Sequence, residues 1–285
     1  VTPSFNQGPF IEETIRSVLL QGYPNLEYHI MDGGSTDESV EIIRRYEPWL
    51  SSWVSQKDGG QSQAINQGFQ RSRGRVFGWL NSDDSFLPGA LAALMNLRAR
   101  EPSCVAWVGA VEILDRLTGH TTILQPKGRT LQELADWGEE AGGFIPQPAC
   151  LFDAAAFARA GGLDERLFCA MDLDLWLRLA REANFSLFTM VVARMQDHED
   201  TKTRAHNDRT WAESIACLHK HGLDTAACNL LRRYASYQSE KRLRELSVGE
   251  AMKHIDDDVY LSHLSLNVLL RHLVRRMLRK LPHGK

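Results

Sequence analysis

Val76-Phe77-Gly78-Trp79-Leu80-Asn81-Ser82-Asp83-Asp84 carries an apolar run straight into two adjacent carboxylates. A short apolar run closed by turn-forming residues reads as a buried strand. Two carboxylates at its end are expensive unless something cationic meets them. A hard divalent ion with oxygen ligands, often shared with the phosphates of a nucleotide, is the usual solution. The plainer reading is an acidic turn ahead of a helix, with Asp84 or Ser85 as N-cap and Pro88 in the first turn. The sequence on either side favours the metal.

Upstream and downstream, strand patterns alternate with helical ones. Residues 1–4, 26–31, 53–55, 76–80 and 104–111 read as strands, and 11–20, 39–46, 62–72 and 89–100 as helices. Ile11, Ile15, Val18 and Leu19 keep helical spacing, and Gly22 with Pro24 closes that helix. Such alternation predicts an α/β fold with a mostly parallel central sheet flanked by helices. Ligands of these sheets lie beyond the carboxyl ends of the strands. Each predicted strand end is polar: Ser4-Phe5-Asn6-Gln7, Asp32-Gly33-Gly34-Ser35, Lys57-Asp58-Gly59-Gly60 and Asn81-Ser82-Asp83-Asp84. Four ends converging on one crevice make a site.

Composition bounds the rest. The 285 residues allow one large domain and an appendage, here 1–205 and an α-helical extension at 206–285. Five cysteines, an odd number with no C-x-x-C spacing, predict reduced core residues and a cytoplasmic setting rather than a disulfide framework or zinc site. No signal peptide pattern opens the sequence, and Val1-Thr2-Pro3 reads as the middle of a strand that continues upstream. No apolar run is long enough to span a bilayer.

Each cluster has its own chemistry. Asp32 can accept hydrogen bonds from a base or ribose, while Gly33 and Gly34 permit a tight turn. Ser35 or Thr36 is expected to cap the following helix. Lys57-Asp58-Gly59-Gly60-Gln61 is either a nucleotide contact or a polar turn. Neither G-x-G-x-x-G nor G-x-x-x-x-G-K-[ST] occurs, so phosphate charge has to be met by metal, which returns to Asp83 and Asp84.

Five spaced motifs resemble the family 2 glycosyltransferases of GT-A (nucleotide-diphospho-sugar transferase-like) fold, over roughly residues 1–200. They are Thr2-Pro3-Ser4-Phe5-Asn6, Asp32-Gly33-Gly34-Ser35-Thr36-Asp37, Asp58-Gly59-Gly60-Gln61-Ser62-Gln63-Ala64-Ile65-Asn66, Trp79-Leu80-Asn81-Ser82-Asp83-Asp84, and Met171-Asp172-Leu173-Asp174-Leu175-Trp176-Leu177-Arg178. The resemblance implies a nucleotide-sugar donor, UDP-linked by preference, held by residues 1–111. Its contacts would come from Pro3, Ser4, Asp32, Asp58, Ala64, Asn66, Asn81 and Ser82. It implies Mn2+ or Mg2+ on Asp83, within a D-x-D motif whose first aspartate is replaced by Asn81. His198 would complete that metal site. Asp172 would be the general base of an inverting transfer, with Met171 where the family usually has glutamate. Residues 112–205 would serve the acceptor, a glycan or lipid-linked molecule of bacterial cell-surface polysaccharide synthesis and not a nucleic acid.

Read without the resemblance, Asp172 and Asp174 are equally consistent with helix-terminal carboxylates stabilised by the dipole, and His198 with a structural histidine. Phe144-Ile145-Pro146-Gln147-Pro148 is a stiff extended connector that places Gln147 over the acceptor, or a plain loop. The absence of Q-x-x-R-W after Asp172 separates the chain from processive synthases and points to one sugar per encounter. Two other readings stand beside a transferase. A nucleotidyltransferase would need a Gly-rich basic loop near residues 2–7, which is missing. A nucleotide-sugar-binding protein without catalysis is made conceivable by Asn81 and Met171.

The C-terminal pattern is independent of family. Leu269, Leu270, Leu273, Val274, Met277, Leu278 and Leu281 fall on one half of a helical wheel. Arg271, His272, Arg275, Arg276, Arg279 and Lys280 fall on the other, with no acid among them. This predicts either peripheral contact of 261–285 with an anionic membrane at its cytoplasmic face, each basic residue contributing about 1 kcal/mol, or packing of the apolar stripe on the helices of 208–245 with the arginines solvated. Full-length protein should co-sediment with anionic liposomes at low salt, and a form ending at Asp258 should not. Equal binding by both forms would give the tail a structural role.

Overall fold

A computed structural model of the chain describes residues 1–135, 143–198 and 201–245. The amphipathic pattern at 261–285 lies outside the described residues. Contacts divide the chain into two compact units, the first Val1–Ala205 and the second beginning at His206.

In the first unit, β1 (Thr2–Ser4), α1 (Gly8–Leu19), β2 (His29–Asp32), α2 (Ser39–Tyr46), β3 (Ser52–Ser55) and α3 (Gln61–Arg71) alternate as the periodicity predicts. Helix α1 has Pro9 in its first turn and buries Ile11, Ile15 and Val18 on one face, beside Ile30, Ile42 and Ile43. Strands β1, β2 and β3 form a parallel sheet in that order. Its register aligns Ser4 with Asp32 and Asp32 with Ser55, so three strand ends fall in one row. Beside β1, Leu80 donates to the Val1 carbonyl at 3.0 Å. Only Val76–Phe77 of the predicted 76–80 strand is a regular strand, β4, since the antiparallel pairing extends only to Asp153 and Phe152.

The second sheet follows with β5 (Ser85–Phe86), α4 (Ala90–Arg100), β6 (Ala106–Asp115), β7 (Thr121–Leu124), α5 (Leu131–Ala135), β8 (Cys150–Asp153), α6 (Ala154–Arg159), α7 (Met171–Leu179), β9 (Phe185–Asp197) and α8 (Lys202–Ala205). Its order is β4-β8-β6-β9-β5, with β7 on β6. Here β6 and β9 are parallel and the remaining pairs antiparallel. The parallel sheet thus belongs to the first three strands, and the second sheet is mixed.

An aromatic core joins the sheets. Trp79 and Trp176 stack with ring centroids 5.6 Å apart and planes at 15°, and Phe152 meets both edge-on. Each such pair contributes about 0.5–1.5 kcal/mol beyond its buried area. Trp176 on α7 is fully buried, which fixes the rotation of the helix that carries Asp172.

The second unit contains α9 (Asn207–Lys220) and α10 (Asp224–Glu245), packed through Trp211 against Tyr234 and Tyr237. Among the described residues no helix is long and apolar enough to cross a membrane.

Strand β9 delivers His198 to the site, and its alignment on β6 depends on Gly109 at a register shift. A Cβ at Gly109 would lie 2.6 Å from Val192 Cγ2 and 3.0 Å from the Met190 carbonyl oxygen. Gly109→Ala should therefore lower the unfolding free energy by about 1–3 kcal/mol. Urea denaturation measures this, and an unchanged midpoint would show that β9 can slide without cost.

Candidate active site

The strand-end loops are tied to one another before any ligand arrives. Asp32 is buried, and its carboxylate accepts from the Gly34 and Ser35 amides, the Ser35 hydroxyl and the Ser55 hydroxyl. Three of these bonds fall on Oδ2 and one on Oδ1, so the loop is tied through Oδ2 while Oδ1 keeps acceptor capacity. Asn6 adopts φ 52° and bridges to the next loop, receiving at Oδ1 the Thr36 amide while its own amide donates to Ser35 Oγ. The expected capping by Ser35 or Thr36 is not found. Asp37 accepts from the Ser39 amide at 3.0 Å and from Gly8 at 2.9 Å instead, because Ser35 is committed to Asn6 and Asp32.

Asp58 accepts from the Gly60 amide, and the absent side chain of Gly33 leaves room for its other oxygen, 3.2 Å from where a Cβ would stand. Phe5, 61% exposed, projects from the end of β1. Several of the expected donor contacts turn inward. Pro3 and Ala64 are buried, and Ser4 is buried with its hydroxyl unpartnered among the described residues. Asn66 holds α3 to the 161–165 turn, donating to the Leu163 carbonyl and Glu165 and accepting from the Leu163 amide. Gln147 also turns inward, donating to the Trp79 carbonyl at 2.6 Å.

The acidic turn is pinned from below by Thr14 of α1, whose buried hydroxyl lies 2.9 Å from the Ser82 carbonyl and 2.7 Å from that of Asp84. Asp83 keeps one fifth of its side chain exposed and faces His198 Nε2 at 3.4 Å. His198 is stacked on Phe10 with centroids 4.7 Å apart, and the Arg116 guanidinium lies 5.3 Å from the Phe10 ring centre. Asp84 is buried and accepts from the Asn81 amide at 3.2 Å and from the Gln196 backbone. Burial raises the Asp83 carboxyl above its ordinary range, partly offset by His198. Burial and then the Asp83 charge push Asp84 up much further.

Asp172 sits in the first turn of α7, half-buried, and one oxygen accepts from the Leu173 amide. Burial raises its pKa, and the nearby Lys202 charge opposes that rise. Asp174 is different. It is fully buried and ion-paired to Arg178 at 2.7 Å, and Arg178 also donates to the Ala160 and Gly162 carbonyls.

A hydrogen-bonded chain connects Asp172's neighbourhood with the acidic turn. Lys202 Nζ donates to Gln61 Oε1 at 2.6 Å, Gln61 Nε2 to Asn81 Oδ1 at 2.7 Å, and Asn81 Nδ2 to Asp84. The structure therefore links Asn81 to Asp84, faces Asp83 with His198, and connects that turn through Gln61 to Lys202, whose charge acts on Asp172. Gln61, from the quoted 57–61 cluster, is part of that network, and Lys202, Phe10 and Thr14 join it unforeseen by the sequence reading. Two carboxylates driven toward protonation and an imidazole nitrogen beside one of them suit a hard divalent cation.

Residues 1–157 match the family described as Glycosyl transferase family 2, and the chain belongs to it. The uncharacterized glycosyltransferase Rv1514c of Mycobacterium tuberculosis is 31% identical over 183 residues, 63% of this chain and 67% of that one. TuaG of Bacillus subtilis, a putative teichuronic acid biosynthesis glycosyltransferase, is 35% identical over 89 residues, 30% of this chain and 35% of its own. The fold is GT-A. Staphylococcus aureus TarS 1–349 in complex with UDP-GlcNAc superposes with TM-score 0.65 at 15% identity, over 97% of this chain and 86% of that one. The mannosyltransferase PcManGT of Pyrobaculum calidifontis, in complex with GDP-Man and Mn2+, gives 0.57 at 17% identity, over 97% and 82%.

Raised carboxyl pKa values mean that the folded, cation-free protein binds more protons than the unfolded chain. Its stability then falls as pH rises from the unfolded carboxylate range through the raised values. A divalent cation on Asp83 removes that cost by favouring the ionised form. Mn2+ should raise the melting temperature more at about pH 7.5 than at about pH 5.5. Equal gains at both values, or none, would separate the acidic turn from metal binding.

Proposed function

We propose that the chain is an inverting, non-processive glycosyltransferase that moves one sugar from a nucleotide-diphosphate donor to the hydroxyl of a glycan or lipid-linked acceptor. The observation that carries this reading is Asp83 facing His198 Nε2 at 3.4 Å, in a turn linked through Asn81 and Gln61 to Lys202, whose charge acts on Asp172.

Asp83 and His198 would hold Mn2+ or Mg2+. A divalent cation there supplies neutralisation of the charge that grows on the departing nucleoside diphosphate. The nucleoside would lie over the 1–111 half, stacked on the exposed ring of Phe5 and bonded to Asp58. Asp32 holds the loop through Oδ2 and would meet the base or ribose through Oδ1. The acceptor would enter beside residues 112–205. Asp172 takes the proton from the acceptor hydroxyl as that oxygen attacks the anomeric carbon and the bond to the diphosphate breaks. Burial, which raises the Asp172 pKa, makes it a stronger base than an exposed aspartate. Asp174 is withheld from this role by Arg178.

The identity of the relatives lends support to a polysaccharide acceptor, since TuaG is assigned to teichuronic acid biosynthesis, and UDP-GlcNAc is the sugar nucleotide carried by TarS. A UDP-sugar is therefore the first donor to test.

Mn2+-dependent release of UDP from a panel of UDP-sugars reads the reaction. Asp172→Asn should lower turnover by roughly 10²–10⁴-fold while nucleotide affinity persists. Asp83→Ala should abolish Mn2+-dependent turnover and weaken Mn2+ binding. Full activity in excess chelator, or unchanged turnover in Asp172→Asn, would overturn the mechanism. Binding without any turnover in the wild type would favour a nucleotide-sugar-binding protein, the reading to which Asn81 and Met171 lend weight.

A further inference from the structure

We propose that Lys202 is a donor-binding residue whose ammonium engages the diphosphate, held in readiness by Gln61. The inference rests on the donor reading above and extends it to a residue outside every motif quoted from the sequence.

Lys202 opens α8, directly after the turn in which Thr201 donates twice to the His198 carbonyl, by its amide at 3.0 Å and its hydroxyl at 2.8 Å. That turn makes the placement of Lys202 follow from the placement of His198. Its ammonium is not left in bulk water. It lies 2.6 Å from Gln61 Oε1 and 4.2 Å from the centre of the Phe168 ring, and it acts electrostatically on Asp172. Gln61 in turn contacts Asn81, two positions before Asp83. The Lys202 charge is therefore linked through Gln61 and Asn81 to the proposed metal turn and also acts on the proposed base.

Charge balance gives that position its meaning. Asp83, Asp84 and Asp172 already make the crevice acidic, and a diphosphate adds further negative charge. One divalent cation at Asp83 and His198 compensates part of it. Lysine is a point charge suited to phosphate oxygens, with three donors that can turn to new partners. Gln61 Oε1 is a neutral acceptor, so moving one ammonium hydrogen from it to a phosphate oxygen exchanges a neutral bond for a charge-assisted one. Asn81 then has a reason to be an amide. It accepts from Gln61 and donates to Asp84, and a carboxylate at that position could not donate to Asp84.

Isothermal titration with Mn2+ present tests the assignment, using UDP and GDP with their monophosphates and nucleosides. Lys202→Met should bind the preferred diphosphate roughly tenfold to a hundredfold more weakly, with nucleoside affinity unchanged. Lys202→Arg should keep most of the affinity. Melting temperature checks that each variant is folded. Wild-type diphosphate affinity in Lys202→Met, or an equal loss for nucleoside and diphosphate, would overturn the proposal and leave Lys202 a structural contact. Wild-type protein that binds neither diphosphate would instead remove the donor reading on which the proposal stands.

Discussion

Two indoles set the geometry of the crevice. Trp79 lies two residues before Asn81, and Trp176 lies four residues after Asp172 on the same helical face. Their stacking at 5.6 Å joins the segment that delivers the acidic turn to the helix that delivers the proposed base. Neither ring can move without opening a cavity among Phe152 and Phe185, which pack on the pair. Groups that act together on one substrate tolerate little displacement, and aromatic packing ties the two segments that carry the proposed ones. The polar layer above this core is correspondingly free to specialise.

That specialisation is electrostatic. Adjacent ionised carboxylates in a buried turn repel each other, and the structure divides their labour. Asp84 is sunk and held by Asn81 and the Gln196 backbone, where burial and the neighbouring charge disfavour ionisation. Asp83 stays partly exposed and faces an imidazole. A neutral Asn81 reduces the negative charge of the turn while keeping a hydrogen-bonded tie to it. The family resemblance allowed position 81 to be read as a loss from D-x-D. Its two amide contacts give it a separate purpose, linking the turn through Gln61 to Lys202.

Local periodicity made the first hundred residues legible. The α2 boundaries are as the pattern predicts, and α1, α3 and α4 differ only at their ends, because each helix buries one clear face beside a parallel strand. The second sheet was harder to read. Strand β9 pairs with β6 some eighty positions earlier, and a register shift at Gly109 hides the alternation of its side chains. Ser35 and Thr36 had the right chemistry for a cap, but tertiary bonds from Asn6 and Asp32 outcompeted that local role. Lys202 carried no signal of its own, since an isolated polar residue at a helix start looks like a solvated one, and Gln61, though part of a quoted cluster, gave no hint of its partners. Only the meeting of residues 61, 81 and 202 reveals them.

The same logic separates two aspartates that the sequence could not. Asp172 and Asp174 are two positions apart, roughly 200° around a helix of 3.6 residues per turn, so they cannot share a face. Asp174 meets Arg178 one turn later, and the guanidinium also satisfies the carbonyls of Ala160 and Gly162. Removing one member of so buried a pair would strand the other, so Asp174 is committed to holding α7 in place. The opposite side carries Asp172 beside Trp176's buried face, at the helix end where the core gives way to the crevice. The ion pair and the indole fix the helix from two directions. With Asp174 holding the helix, Asp172 is spared that ion pair, which is a condition a proton acceptor has to meet.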